Sequence, residues 1–347
     1  MSFLIYGASG YTGKLIVELS IKKGLKPVLA GRTESKIKPL AEKYGLDYLV
    51  FGLNKIEEVT QNLEKFPLVL NCAGPFSRTA KLMVEACLEA KTHYLDITGE
   101  IEVFELIKSY DLRAKNKDII LLPGVGFDVV PTDCMAKYLS LKLPDATHLE
   151  LAFTSVGGSI SHGTVTTMIE SLGNKGFSRE NGLLISQSTG YKGKLFNFGR
   201  LKQFAMTIPW GDISTAYTTT GIPNVETYVG ASKAAFYLMK LQFLFNPILR
   251  TNFVKNLLQK YVDDKIIGPN ELHFQNGKSL IYGKVTNAKG DTFEGRIETL
   301  EGYRLTAEAS VLITQKVLEL EGVSGYQTPA GLFGYELILE IEGSKFI

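Results

Sequence analysis

Few local structures accommodate Gly7-Ala-Ser-Gly-Tyr-Thr-Gly13 together with the residues on either side of it. Ahead of it, Phe3-Leu-Ile-Tyr6 is a short apolar run suited to a buried parallel strand. Behind it, residues 14–24 are apolar at helical spacing and end on Gly24. The spacing therefore predicts a strand, a tight turn and a helix N-terminus. In that order the three present backbone N–H groups and the positive helix end to a pyrophosphate. Gly7, Ser9, Gly10, Tyr11, Thr12 and Gly13 become the candidate contacts for a dinucleotide.

Alternating strand and helix patterns continue through residue 145, the signature of a parallel sheet covered on both faces. Strands are expected at residues 27–30, 48–51, 68–71, 94–96 and 119–122, with helices at 34–44 and 79–90. The strands run out into Gly31-Arg32, Cys72-Ala-Gly-Pro-Phe76, Thr98-Gly-Glu100 and Gly124-Val-Gly-Phe-Asp128. In a doubly wound sheet ligands bind along that edge, so these loops define the expected site rim. Asn71, Ala73, Gly74 and Pro75 follow the fourth strand, where backbone borders the ribose and nicotinamide.

NAD-selective sites place a carboxylate after the second strand, to bond the ribose 2′-hydroxyl. Here Ala30-Gly-Arg-Thr33 has none before Glu34. Arg32 is suited to pair with a 2′-phosphate, which favours NADP over NAD.

After residue 146 the pattern changes to alternation. Segments at 278–285 and 292–297 flank Asn287-Ala-Lys-Gly-Asp291, which reads as a hairpin. An α+β domain with an antiparallel sheet is expected, facing the cofactor and shaping a substrate pocket. Residues 306–319 read as an amphipathic helix and 333–342 as a last strand.

Composition excludes several classes. A formal net charge of +2, with no basic stripe, argues against nucleic acid as a partner. Cys72, Cys87 and Cys134 form no C-x-x-C, so neither a disulfide framework nor a zinc site is expected. A first strand so near the N-terminus leaves no room for a signal peptide, and a cytoplasmic protein is expected. The apolar stretch 234–249 is interrupted by Lys240, Gln242, Asn246 and Pro247 and is too short to span a bilayer. It suits a core helix or a homodimer interface. An acyl-substrate lining or a peripheral membrane contact are its lesser uses.

Three residues are candidates for proton transfer. Asp128 lies in the loop after the sixth strand, and either faces a pocket or shapes the turn. His162, in Ser161-His-Gly-Thr164, titrates near neutrality; the alternative is a loop or capping role before a helix at 164–172. Ser161 and Thr164 either cap that helix or hold a substrate carbonyl. Tyr217 is placed to donate to an oxyanion or else to pack. Asp133 reads as the N-cap of a helix at 134–141.

Together, Gly7 to Gly13, Ala30-Gly-Arg32, Asn71-Cys-Ala-Gly-Pro-Phe76, Tyr94-Leu-Asp-Ile-Thr-Gly-Glu100 and Pro123-Gly-Val-Gly-Phe-Asp-Val-Val-Pro-Thr-Asp133 resemble the saccharopine dehydrogenase-like oxidoreductases. The similar branch holds trans-acting enoyl reductases and the mammalian saccharopine dehydrogenase-like protein. The likeness continues through Ser161-His-Gly-Thr164, Pro209-Trp-Gly-Asp212, Thr220-Gly-Ile-Pro223 and Gln327-Thr-Pro-Ala330. It implies a split Rossmann domain, residues 1–145 with about 305–347, around an inserted domain at 146–304. It also implies NAD(P)-dependent redox chemistry. Saccharopine formation itself is disfavoured, because Arg179, Arg200, Arg250 and Arg296 are scattered rather than clustered for a polycarboxylate. The resulting expectation is an NADP-dependent oxidoreductase acting on a carbon–carbon double bond, or a related carbonyl or imine, of a small or acyl substrate. The rival is a non-catalytic dinucleotide sensor or scaffold.

Overall fold

The computed structural model describes residues 2–157, 176–241, 246–249, 251–265 and 275–347. The chain divides into two compact units, Met1–Val130 with Tyr303–Leu332, and Pro131–Gly302 with Phe333–Ile347.

The first unit holds a parallel sheet of β1 (Leu4–Tyr6), β2 (Val28–Gly31), β3 (Tyr48–Val50), β4 (Leu68–Asn71), β5 (His93–Asp96) and β6 (Ile120–Leu122). Its order is β3-β2-β1-β4-β5-β6, extended beyond β6 by Gly325–Tyr326. All residues of β1 and β4 are buried, as continuous apolar strands covered on both faces must be. The helices α1 (Tyr11–Lys22), α2 (Glu34–Tyr44), α3 (Ile56–Leu63), α4 (Phe76–Ala90), α5 (Ile101–Lys108) and α6 (Asp111–Asn116) connect these strands. Leu4, Val69, Met83, Val84, Tyr94 and Leu121 share one core cluster. The chain order reverses between β1 and β4, so the topological switch point lies where their C-terminal loops meet. Helix Gly302–Leu318 belongs here because Thr306 accepts the Phe127 N–H at 3.0 Å, and Ser310 donates to the Val125 carbonyl at 3.1 Å.

The second unit begins within α7 (Val130–Lys142) and carries β7 (Ala146–Val156), β8 (Gly176–Glu180), β9 (Leu183–Gln187), β10 (Gly193–Asn197), β11 (Lys202–Thr207), β12 (Asn224–Gly230), β13 (Lys278–Asn287) and β14 (Thr292–Leu300). Its main path is β10-β11-β12-β7-β13-β14, ended by Lys345–Phe346. The sheet is mixed rather than antiparallel, since β7 and β12 run parallel from His148↔Asn224 to Phe153↔Val229. The β13–β14 hairpin closes at the predicted turn, where the Asn287 side chain accepts the N–H groups of Lys289 and Asp291. Its glycines admit α7: a Cβ on Gly283 would lie 2.5 Å from Met135.

Two sequence expectations are corrected here. Residues 333–342 are not a strand, because Tyr335–Glu340 forms a 3₁₀ helix. Leu337 and Ile338 are buried as sequence neighbours, which a pleated strand would place on opposite faces. Asp133 is not an N-cap, since it lies inside the first turn of α7 and accepts a 2.5 Å hydrogen bond from Thr219. By compactness the units divide within α7 and again after Leu332, and the C-terminal Lys345–Phe346 pairs with β14 of the mixed sheet.

Candidate dinucleotide and proton-transfer site

The glycine turn is built on close backbone contact. Gly7 has φ +81°, and a Cβ there would lie 2.7 Å from the Ala73 nitrogen. A Cβ on Gly13 would lie 2.5 Å from the Gly7 carbonyl oxygen. The turn is tied to β2 by Gly7 N–H to Ala30 O at 2.8 Å, and the β4 loop to β1 by Cys72 N–H to Tyr6 O at 2.7 Å. Gly10, the N-cap of α1, brings no side-chain cap, and no acidic residue occupies the first helical turn. The positive helix end therefore carries no carboxylate of its own, and the cradle fits a diphosphate. Ser9, Tyr11 and Thr12 are half-buried around it, with Tyr11 edge-on to Tyr303 at 5.2 Å.

Arg32 is exposed just past β2, two residues beyond the carbonyl that anchors the turn. Burial pushes the Tyr6 hydroxyl up to about 12, opposed by the nearby Arg32 charge. A guanidinium thus stands at the β2 rim, where a 2′-substituent would lie.

The β4 loop is organised from below. Asn71 is fully buried, and its side chain is used inside the protein. Its oxygen accepts the Ala73 N–H at 3.1 Å, while its nitrogen donates to Tyr94 at 3.3 Å and Thr79 at 3.4 Å. Asn71 therefore shapes the Ala73-Gly74-Pro75 loop through its own hydrogen bonds. Gly74 is exposed on that loop, with Ala73 and Pro75 half-buried.

The same network reaches two further loops. Tyr94 donates to Asp96 at 2.7 Å, and the other Asp96 oxygen accepts N–H groups from Thr98 at 3.0 Å and Gly124 at 2.9 Å. Burial raises the Asp96 carboxyl to about 6, although these donors oppose the shift. Glu100 accepts the N–H groups of Phe76 and Ser77 at 2.8 and 3.0 Å, capping α4 from outside. Sequence reasoning named the Thr98–Glu100 loop as rim but assigned Tyr94, Asp96 and Glu100 no role. The available signal was a pair of carboxylates at the C-terminal end of a parallel strand.

Asp128 sits at the end of the β6 loop, half-buried, with Gly99 against its carboxylate. Among the described residues it has no hydrogen-bond partner or ion pair. Burial, then the Glu100 charge, pushes its carboxyl up to about 7. It is thus a carboxylic acid that holds its proton near neutrality.

The other two proton-transfer candidates fare differently. Tyr217, on α8 (Asp212–Thr220), lies beneath the Arg179 guanidinium at 4.5 Å. Arg179 is itself held by the carbonyls of Ile213 and Gly182 at 2.7 Å each. His162, with Ser161, Thr164 and the expected helix 164–172, lies outside the described residues. A separate cavity of about 540 Å³ opens on the second unit beside Glu150, Lys192, Lys194, Glu226 and Lys240. No predicted site residue lines it.

A β3-β2-β1-β4-β5-β6 sheet with an uncapped glycine turn at its switch point defines a dinucleotide-binding domain of the Rossmann type. Residues 3–122 match the model of the saccharopine dehydrogenase NADP binding domain family. It is 25% identical over 202 residues to the saccharopine dehydrogenase-like oxidoreductase of Rattus norvegicus, covering 51% of this chain and 47% of that protein. It is 28% identical over 182 residues to a putative trans-acting enoyl reductase of Mycobacterium tuberculosis, covering 49% and 43%. The chain thus spans about half the length of the curated relatives it matches. Saccharopine dehydrogenase (L-Glu forming) from Saccharomyces cerevisiae shares the fold, with a TM-score of 0.66 at 11% identity over 100% of this chain and 99% of that one.

Proposed function

We propose that the protein is an NADPH-dependent oxidoreductase that reduces a polarised double bond, of the enoyl type or a related carbonyl or imine. The observation that carries this reading is Asp128, an acid without a hydrogen-bond partner among the described residues, in the same unit as the glycine turn. Carboxyls with a raised pKa cluster at catalytic sites. When bound, the reduced nicotinamide supplies hydride. The chain's own residues do the remaining work. Gly7, Gly10 and Gly13 let the backbone close on the diphosphate, and Arg32 selects the 2′-phosphate. Asn71 fixes the loop that borders the reacting face. Asp128 delivers a proton to the substrate atom that becomes electron-rich as hydride adds to its partner.

The test is loss of NADPH absorbance with a panel of enoyl thioesters, ketones and imines. Tight NADPH binding with no oxidation by any class would favour the sensor. Arg32→Ala should weaken NADPH binding about tenfold and leave NADH nearly unchanged, as removal of a charged hydrogen bond predicts. Equal losses for both nucleotides, measured by fluorescence titration, would refute that role.

A second reading concerns where the protein works, and a different observation favours it. From residue 227 to 262 the sequence has five basic residues (Lys233, Lys240, Arg250, Lys255, Lys260) and no carboxylate. Helix Lys233–Leu241 buries Phe236 and exposes Tyr237, Leu238 and Leu241; helix Asn252–Lys265 exposes Phe253 and Leu257. Among the described residues no helix is long and apolar enough to cross a membrane. Apolar side chains with lysines between them suit peripheral contact with an anionic lipid surface. Vesicles of phosphatidylcholine with phosphatidylglycerol should co-sediment the protein, and phosphatidylcholine alone should not. Leu238→Glu with Leu257→Glu should reduce that binding roughly tenfold. Self-association through these helices, without vesicle binding, would assign the surface to a second copy instead.

A further inference from the structure

Pro75, the N-cap residue of α4, makes no side-chain cap, so the first N–H groups of that helix need an acceptor from elsewhere. They find one in Glu100, whose two oxygens take one N–H each, from Phe76 and Ser77. A carboxylate from the loop after β5 thereby fastens the helix that begins directly after Ala73-Gly74-Pro75. The preceding residue makes a second contact. A Cβ on Gly99 would stand 2.6 Å from an oxygen of Asp128, so the Asp128 carboxyl lies against backbone one residue from Glu100.

The other charged or titratable groups nearby are few. At the end of β5, Asp96 is occupied by Tyr94, Thr98 and Gly124. Helix Gly302–Leu318 brings the neutral hydroxyl of Thr306 to the Phe127 N–H beside Asp128. Arg78, in the first turn of α4, is exposed. Among the described residues, neither Glu100 nor Asp128 has an ion-pair partner.

We propose that Glu100 is a positioning residue for both halves of this site. Its carboxylate holds the loop bordering the nicotinamide in place, and its charge stands beside the buried Asp128 carboxyl through the Gly99 backbone. The inference rests on the reading of Asp128 as the proton donor. The Glu100 carboxylate, beside Asp128, disfavours ionisation of that second carboxyl. One residue thus couples loop geometry to proton affinity.

The experiment is a carboxyl ¹³C NMR titration of aspartate-labelled protein, with the Asp128 resonance assigned by its absence in Asp128→Asn. Glu100→Gln should move the Asp128 midpoint to lower pH by about one unit, a tenfold loss of proton affinity. It should also weaken NADPH binding severalfold, because an amide offers only one acceptor to two N–H groups. Glu100→Asp keeps the charge but shortens the reach. It should retain a midpoint near that of the unmodified protein while losing NADPH affinity, and it serves as the test variant if Glu100→Gln does not fold. An unmoved midpoint with unchanged NADPH affinity would overturn the proposal. Full turnover by Asp128→Asn would instead overturn the donor role, and the titration would still stand.

Discussion

Gly7→Ala is expected to abolish measurable NADPH binding and to lower stability by about 2–4 kcal/mol, the sum of left-handed strain and overpacking. The strain arises because Gly7 has φ +81°. The overpacking arises because the new methyl group would meet backbone, the Ala73 nitrogen at 2.7 Å and the Cys72 carbonyl carbon at 2.8 Å. Backbone cannot rotate aside as a long side chain can. The β1 and β4 loops would have to separate at the switch point, and the diphosphate cradle would open. Gly24→Ala separates the two terms. Gly24 has φ +78° but nothing within 4 Å of its would-be Cβ. It should cost about 1 kcal/mol from strain alone and leave NADPH affinity intact. Thermal denaturation and fluorescence titration of both variants read the difference. If Gly7→Ala binds NADPH as the unmodified protein does, the cradle has been misplaced.

Asp128→Asn should lower turnover roughly a hundredfold or more, the usual contribution of a positioned general acid. The pH dependence has a definite sign. The donor form is protonated, and burial with the Glu100 charge holds its pKa at about 7. Turnover should therefore be sustained below neutrality and fall as pH rises through about 7. The asparagine variant should lose that limb along with its activity. Stability has its own sign. The carboxyl ordinarily titrates at 3.8 and in the folded state near 7, so the folded protein binds this proton more tightly. That contribution is fully present below pH 4 and is lost as pH rises through the folded value. At pH 8 Asp128→Asn should melt no lower than the unmodified protein. A lower melting temperature there, with turnover unaffected, would mark Asp128 as a structural turn residue.

The sequence by itself determined what local pattern determines. The apolar run before Gly7, the helical spacing after it and the Asn287–Asp291 turn each encode their conformation within about a dozen residues. β1, α1 and the β13–β14 hairpin formed where expected for that reason. The position of Arg32, exposed just past β2, was legible in the same way. The chemistry at the other rim was not, because it depends on contacts between residues far apart in the chain. Asn71 meets Tyr94 across 23 positions, Glu100 caps α4 across 24, and Asp96 takes the Gly124 N–H across 28. Only the tertiary structure sets which polar groups are spent on one another and which carboxyl, Asp128 in the loop after β6, has its proton affinity raised by burial with no hydrogen-bond partner among the described residues. The parallel pairing of β7 with β12 has the same origin, since strand direction is fixed by packing of the whole sheet and not by the alternation within either strand.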